Sequence, residues 1–187
     1  MAREIARGDW RTWLEEAEDE YFEEKMLRGM VISYAKCPPE EKLQWTGRFV
    51  PTIDNWAECD CFGWRLKAAE RGPMWRFIQP YFSSQAEYEV RFAVVMALGN
   101  FVDEEHLDLL LERLGAVRHD AYYVRMGIAW AVSVCYVKFP ERTEEWLLDG
   151  CPLGDWAYNK ALQKIVESLR VTPETKARIK TMKRRAK

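Results

Sequence analysis

The sequence predicts an all-α fold, specifically an α-solenoid, from three observations. Apolar residues recur at three- and four-residue intervals over long stretches, and strand-like alternation is almost absent. Short clusters of proline and glycine separate those stretches. The stretches themselves then recur with a period of about 34 residues, the mark of stacked helix pairs. A chain of 187 residues, 48% of them apolar, is long enough to bury a core as one domain, residues 1–187.

Taken in order, the breakers are CPP at 37–39, Pro51, Gly72–Pro73, Pro80, Pro140, the run from Gly150 to Gly154, and Pro173. They leave room for about ten to twelve helices joined by short turns. Pro-Glu at 39–40, 140–141 and 173–174 sets proline where a first helical turn accepts it, with an acid at the positive end of the helix dipole. Helical spacing is clearest over Met26, Met30, Ile32 and Tyr34, again from Phe92 to Leu98, and again from Met126 to Cys135.

Five segments align. They are EYFEEKMLRGMVI from Glu20, NWAECDCFGWRLK from Asn55, EYEVRFAVVMAL from Glu87, AYYVRMGIAWAV from Ala121 and DWAYNKALQKIV from Asp155. Each opens on an aromatic residue, presents one ionised side chain three or four places later, and then turns apolar. The ionised positions are Lys25, Asp60, Arg91, Arg125 and Lys160. In a solenoid such equivalent positions lie along one face, here edged by Tyr21, Trp56, Tyr88, Tyr122 and Trp156. Four cations in a row suit a polyanion. The lone acid, Asp60, allows two readings: a salt bridge between Arg91 and Lys25 that neutralises a crowded stripe, or a separate chemical task.

Other chemistry has less support. Cys59 and Cys61 flank Asp60 but project about 100° to either side of it on a helix. The two histidines, His106 and His119, fall in different segments, so no metal site is expected. A thiol nucleophile has no motif, and a glycine-rich phosphate loop is missing, so no cofactor is expected. Trp56 lies one turn before Asp60 and shares its face. Cys135 falls in an apolar run and reads as core.

Net charge is −2, yet residues 160–187 hold ten Lys and Arg against Glu167 and Glu174, a local balance of +8. Such a segment serves either as a phosphate-binding arm or as a solvated helix end. The N-terminal MAREIARGDW lacks the apolar core of a secretory signal, and no apolar run reaches the roughly 18 residues of a membrane span. An odd count of five irregularly spaced cysteines fits a reducing compartment, so a cytoplasmic protein away from membranes is expected.

With these residues in view, the chain resembles the AlkD-like DNA alkylation-repair glycosylases, a family of HEAT-like-repeat proteins, in its compact bacterial branch. The likeness runs from Glu20 to the end and is strongest at VPTIDNWAECDCF, YEVRFAVVMALGNFVDEE, AYYVRMGIAWAVSVCYVKFPE and YNKALQKIVESLRV. It implies about five HEAT-like helix pairs curved around a concave DNA-binding face. The family's W-x-x-x-D falls on Trp56 and Asp60, its active-site arginine on Arg91, and its second lesion-facing tryptophan on Trp130.

The resemblance implies hydrolysis of the N-glycosidic bond of cationic alkylated purines, such as 3-methyladenine and 7-methylguanine, in double-stranded DNA. Asp60 is then the catalytic carboxylate, Trp56 and Trp130 contact the lesion, and Arg91 binds the phosphate beside it. Arg125, Lys160, Lys164 and Lys25 are the expected backbone contacts, and the protein is expected to be a nucleoid-associated monomer. The chain begins inside what resembles the second helix pair of longer relatives, so N-terminal helices that help grip DNA are expected to be missing. Two alternatives stand beside this reading: a non-catalytic HEAT-repeat scaffold for DNA, and a protein-binding α-solenoid whose acidic first half recruits a basic partner.

Overall fold

The computed structural model describes residues 1–18 and 20–185. Among them it contains twelve α-helices and no strand. The first six are α1 (Ala2–Ile5), α2 (Trp10–Glu16), α3 (Phe22–Tyr34), α4 (Pro39–Phe49), α5 (Trp56–Cys61) and α6 (Ala68–Ile78). The remainder are α7 (Glu87–Asn100), α8 (Leu107–Ala116), α9 (Tyr122–Lys138), α10 (Pro140–Leu148), α11 (Asp155–Glu167) and α12 (Pro173–Thr181). Among the described residues no helix is long and apolar enough to cross a membrane.

The helix starts follow the local chemistry. Pro39, Pro140 and Pro173 open α4, α10 and α12, where a missing N–H costs nothing because first-turn donors have no intrahelical partner. Asp9 and Thr172 cap α2 and α12 by accepting the N–H of Thr12 and Thr175. One expected break is a helix instead. Gly72 and Pro73 lie inside α6, at a position where proline removes one backbone hydrogen bond. Tertiary packing outweighs that loss, because Met74 and Ile78, on the following turn, are almost fully buried.

The five aligned segments supply α3, α5, α7, α9 and α11. These pack in chain order, α3 on α5, α5 on α7, α7 on α9 and α9 on α11. The intervening helices lie outside this row: α4 contacts α3 and α6, α6 contacts α7, α8 and α10 contact α9, and α12 contacts α11. This order of neighbours is consistent with an α-solenoid-like fold. It also explains the composition of the inner helices. With neighbours on several sides, α7 buries Val90, Phe92, Ala93, Val94 and Ala97, and α9 buries Val124, Ile128, Ala129, Val132 and Cys135, all at 0–3% exposure.

Candidate functional site

The site begins with the way α5 is fixed. Six residues are far too few for a helix to hold in water unaided. Asn55 caps it, its Oδ1 accepting the N–H groups of Ala57 and Glu58, both at 3.0 Å. Glu58 reaches back, and its Oε2 accepts the N–H of Asp54 at 3.3 Å. Asn-x-x-Glu is therefore a reciprocal start signal, close to a capping box. Glu58 is only 2% exposed, and its other oxygen has no hydrogen-bond partner among the described residues. Cys59 plugs the same helix into the core at 0% exposure.

These anchors leave Asp60 in the last turn of α5, facing α7. Its carboxylate accepts two hydrogen bonds from Arg91, from Nε to Oδ1 at 2.9 Å and from Nη2 to Oδ2 at 2.7 Å. Arg91 Nη1 donates to the Tyr123 carbonyl at 2.7 Å. One guanidinium thus ties α5, α7 and α9 together through its planar fork of donors. Arg91 is buried at 6% exposure, whereas the Asp60 side chain keeps 21% of its surface open.

The open side of Asp60 lines a depression of about 520 Å³. Cys61, Gly63, Trp64 and Arg65 line it from the end of α5 and the loop that follows, Val95, Met96, Gly99 and Asn100 from α7, and Lys138 from α9. The course of that loop depends on Gly63. The chain leaves α5 at Phe62 in extended geometry, and Gly63 then adopts φ +140°, in the region that favours glycine. A Cβ there would also stand 3.1 Å from Met96 Sδ.

The two cysteines beside Asp60 diverge as helical geometry requires. Cys61 is exposed and shares the depression, whereas Cys59 faces the core, where burial pushes its thiol far above the ordinary range. Cys135 is likewise a core residue, its thiol pushed up to about 12 by burial.

The other expected residues occupy varied settings. Trp56 is half exposed one turn before Asp60. Trp130 is half-buried on α9, and its indole takes part in no ring–ring or cation–π contact among the described residues. Lys25 pairs with Asp54 rather than with Asp60. Arg91, the expected ligand of the phosphate beside the lesion, lies beneath the surface and is paired with Asp60. The reason is packing: α7 lies between α5 and α9, so this position meets a carboxylate and a carbonyl before it meets solvent. Arg125 places its guanidinium 4.9 Å from the Trp156 ring, and the Lys160 ammonium lies 5.7 Å from the same ring. Lys160 also donates to Gln163 at 2.8 Å, and Lys164 is half-buried on the same helix.

Four residues of this region were not singled out by the sequence. Asn55 and Glu58 were readable in principle from their Asn-x-x-Glu spacing. Arg65 and Lys138 line the depression without any repeat signal to mark them. In comparison with known proteins, no family model, no curated protein and no solved structure matches this chain.

Proposed function

We propose that this chain is an AlkD-like DNA glycosylase, an α-solenoid of HEAT-like repeats whose concave face receives double-stranded DNA. It hydrolyses the N-glycosidic bond of cationic alkylated purines such as 3-methyladenine and 7-methylguanine. One observation carries the proposal. Asp60 is oriented by a buried arginine and opens on a depression, one helical turn from an exposed tryptophan.

The chemistry needs one acid and water. An alkylated purine already carries positive charge, so the bonding pair leaves with the base as the C–N bond breaks and no general acid is required. Positive charge develops on the deoxyribose, where an oriented carboxylate stabilises it. The same group then accepts a proton from the attacking water. Trp56 and Trp130 offer aromatic faces to the cationic nucleotide. Arg91 acts as the positioning residue for Asp60, and Arg125, Lys160, Lys164 and Lys25 hold backbone phosphates without reading sequence.

The test is release of free 7-methylguanine or 3-methyladenine from methylated duplex DNA. Asp60→Asn is expected to keep duplex affinity and lose at least ~100-fold in rate, the scale for one electrostatic or basic group. Parallel loss of binding and release in a folded variant would make the carboxylate structural. The Asp60–Arg91 pair also favours a second reading, the non-catalytic DNA scaffold, in which the acid only pins α5 to α7. Under that reading wild-type protein binds duplex DNA, with affinity falling steeply in salt, and releases no base.

A further inference from the structure

A second feature lies where α7, α9 and α11 begin. Tyr88 stands 5.9 Å from Tyr123, Tyr123 stands 5.2 Å from Tyr122, and Tyr122 stands 5.8 Å from Trp156. Rings therefore run unbroken across the starts of three helices. Tyr122 is 53% exposed and Trp156 is 37% exposed. Rings of this size left in water, in a contiguous row, mark a contact surface rather than core.

Charge of both signs flanks the row, with the cations gathered at its Trp156 end and Glu87 accepting the N–H of Tyr123 at the other. Arg125 and Lys160 both sit over the Trp156 ring. Beside them opens a pocket of about 410 Å³, lined by Arg118, His119, Arg125 and Trp156 together with the start of α11. The N-cap of that helix is Gly154, which brings no capping side chain. Arg125 Nε is buried and has no hydrogen-bond partner among the described residues. Asp120 and Asp155 also line the pocket, so the positive excess is modest.

We propose that this aromatic ledge binds an unpaired nucleic-acid strand. Bases stack on Tyr122 and Trp156, and Arg118, Arg125 and Lys160 take the phosphates. Bases inside a duplex have both faces covered by neighbours, so the rings have nothing to stack against there. Unpaired bases present free faces, and the two cations over Trp156 match the phosphates on either side of a base stacked there. At an interaxial spacing of 8–10 Å, three helix starts span about 16–20 Å, which suits the short end of single-strand site sizes. An acidic peptide would match the cations and leave the rings unused. The inference needs nucleic acid only, and it stands whether or not Asp60 performs hydrolysis.

The experiment titrates full-length protein into a fluorescein-labelled oligothymidine of about 12 nucleotides, followed by anisotropy. An abasic deoxyribose-phosphate strand of the same length serves as the comparison. Oligothymidine is expected to bind at least ~10-fold more tightly than the abasic strand. Tyr122→Ala and Trp156→Ala should each weaken it at least ~5-fold, and Trp156→Phe, which keeps a stacking face, should retain most of the affinity. Three phosphate contacts predict a slope of about −2 for log K against log salt.

Equal affinity for the two strands, or a folded Tyr122→Ala variant with unchanged affinity, overturns the proposal. Tyr122 is exposed enough that its truncation leaves the core intact, and circular dichroism checks this. Asp60→Asn should bind oligothymidine as the wild type does, so failure at the ledge and failure of base release are separately visible.

Discussion

Breaking the Asp60–Arg91 pair from its two ends is expected to cost unequal amounts. In Asp60→Ala the guanidinium stays in place at 6% exposure and loses both carboxylate acceptors, keeping only the Tyr123 carbonyl. Leaving one partner of a buried pair uncompensated costs about 3–5 kcal/mol, and partial access to water sets this case near ~3–4. In Arg91→Met the remaining carboxylate has 21% of its surface open, so water restores much of what it lost. What remains is the unpaired Tyr123 carbonyl and imperfect packing, about 1–2 kcal/mol. The double variant removes both charges and should lie close to Arg91→Met, well short of the sum. Urea denaturation followed by circular dichroism measures all three. For a chain of this size the corresponding falls in Tm are about 6–16 °C for Asp60→Ala and about 2–8 °C for Arg91→Met. If Arg91→Met costs as much as Asp60→Ala, the assignment of the buried partner is wrong. Asp60→Asn keeps one acceptor and should fall between, so its base-release rate has to be measured well below its own Tm.

Three further outcomes follow from the same geometry. Gly63→Ala puts a side chain at φ +140° and against Met96, and should cost about 1–3 kcal/mol in urea denaturation while slowing base release through the displaced end of α5. Desolvation alone would raise the Asp103 carboxyl, but its hydrogen bonds from His106 and its pairing with Arg71 outweigh it and hold the group below the ordinary 3.8. A carboxyl depressed in the folded state stabilises above its unfolded value and loses that contribution as pH falls through the folded one, so Asp103→Asn should flatten the acid limb of a stability–pH profile below about pH 4. Iodoacetamide should alkylate Cys61 first, by mass spectrometry, leaving buried Cys59 and Cys135 until unfolding. Bound duplex DNA should shield Cys61, and undiminished labelling in the complex would count against DNA lying over the depression.

The inner helices were legible because each repeats one local pattern, an aromatic residue, a charge and an apolar run, whose helical period needs no tertiary information. Gly72–Pro73 misled for the complementary reason: local propensity argues for a break, and only the burial of Met74 and Ile78 reverses it. The partner of Asp60 was half legible. Repeat spacing placed it between Lys25 and Arg91 alike, and nothing in the spacing reveals that Asp54, in the loop before α5, takes Lys25 away. Arg65 and Lys138 come to the depression from a loop and from the last turn of α9, positions with no repeat equivalent to flag them. Glu58 reads as a surface acid by composition, and its burial follows from a capping role that its spacing from Asn55 encodes.

An anion already paired with arginine is a weaker stabiliser than a bare one, and the size of that weakening tests the proposed chemistry. At an effective dielectric of about 20, a full charge about 4 Å from a carboxylate gains about 4 kcal/mol. A guanidinium roughly 8 Å away on the far side takes back about 2 kcal/mol, leaving about 2. The pair is therefore worth roughly 30-fold in rate, whereas Asp60→Asn removes the carboxylate and leaves the guanidinium, forfeiting about 4 kcal/mol, in line with a loss of at least ~100-fold. Arg91→Met separates field from positioning, because it removes the opposing charge while freeing the carboxylate to move. If orientation matters more, kcat falls at least ~10-fold with KM little changed, since Arg91 is buried and touches no phosphate in this arrangement. A kcat equal to or above wild type would mean that the arginine merely dampens a carboxylate that needs no holding. A rise in KM alone would return Arg91 to the phosphate-binding role that its place in the repeat first suggested.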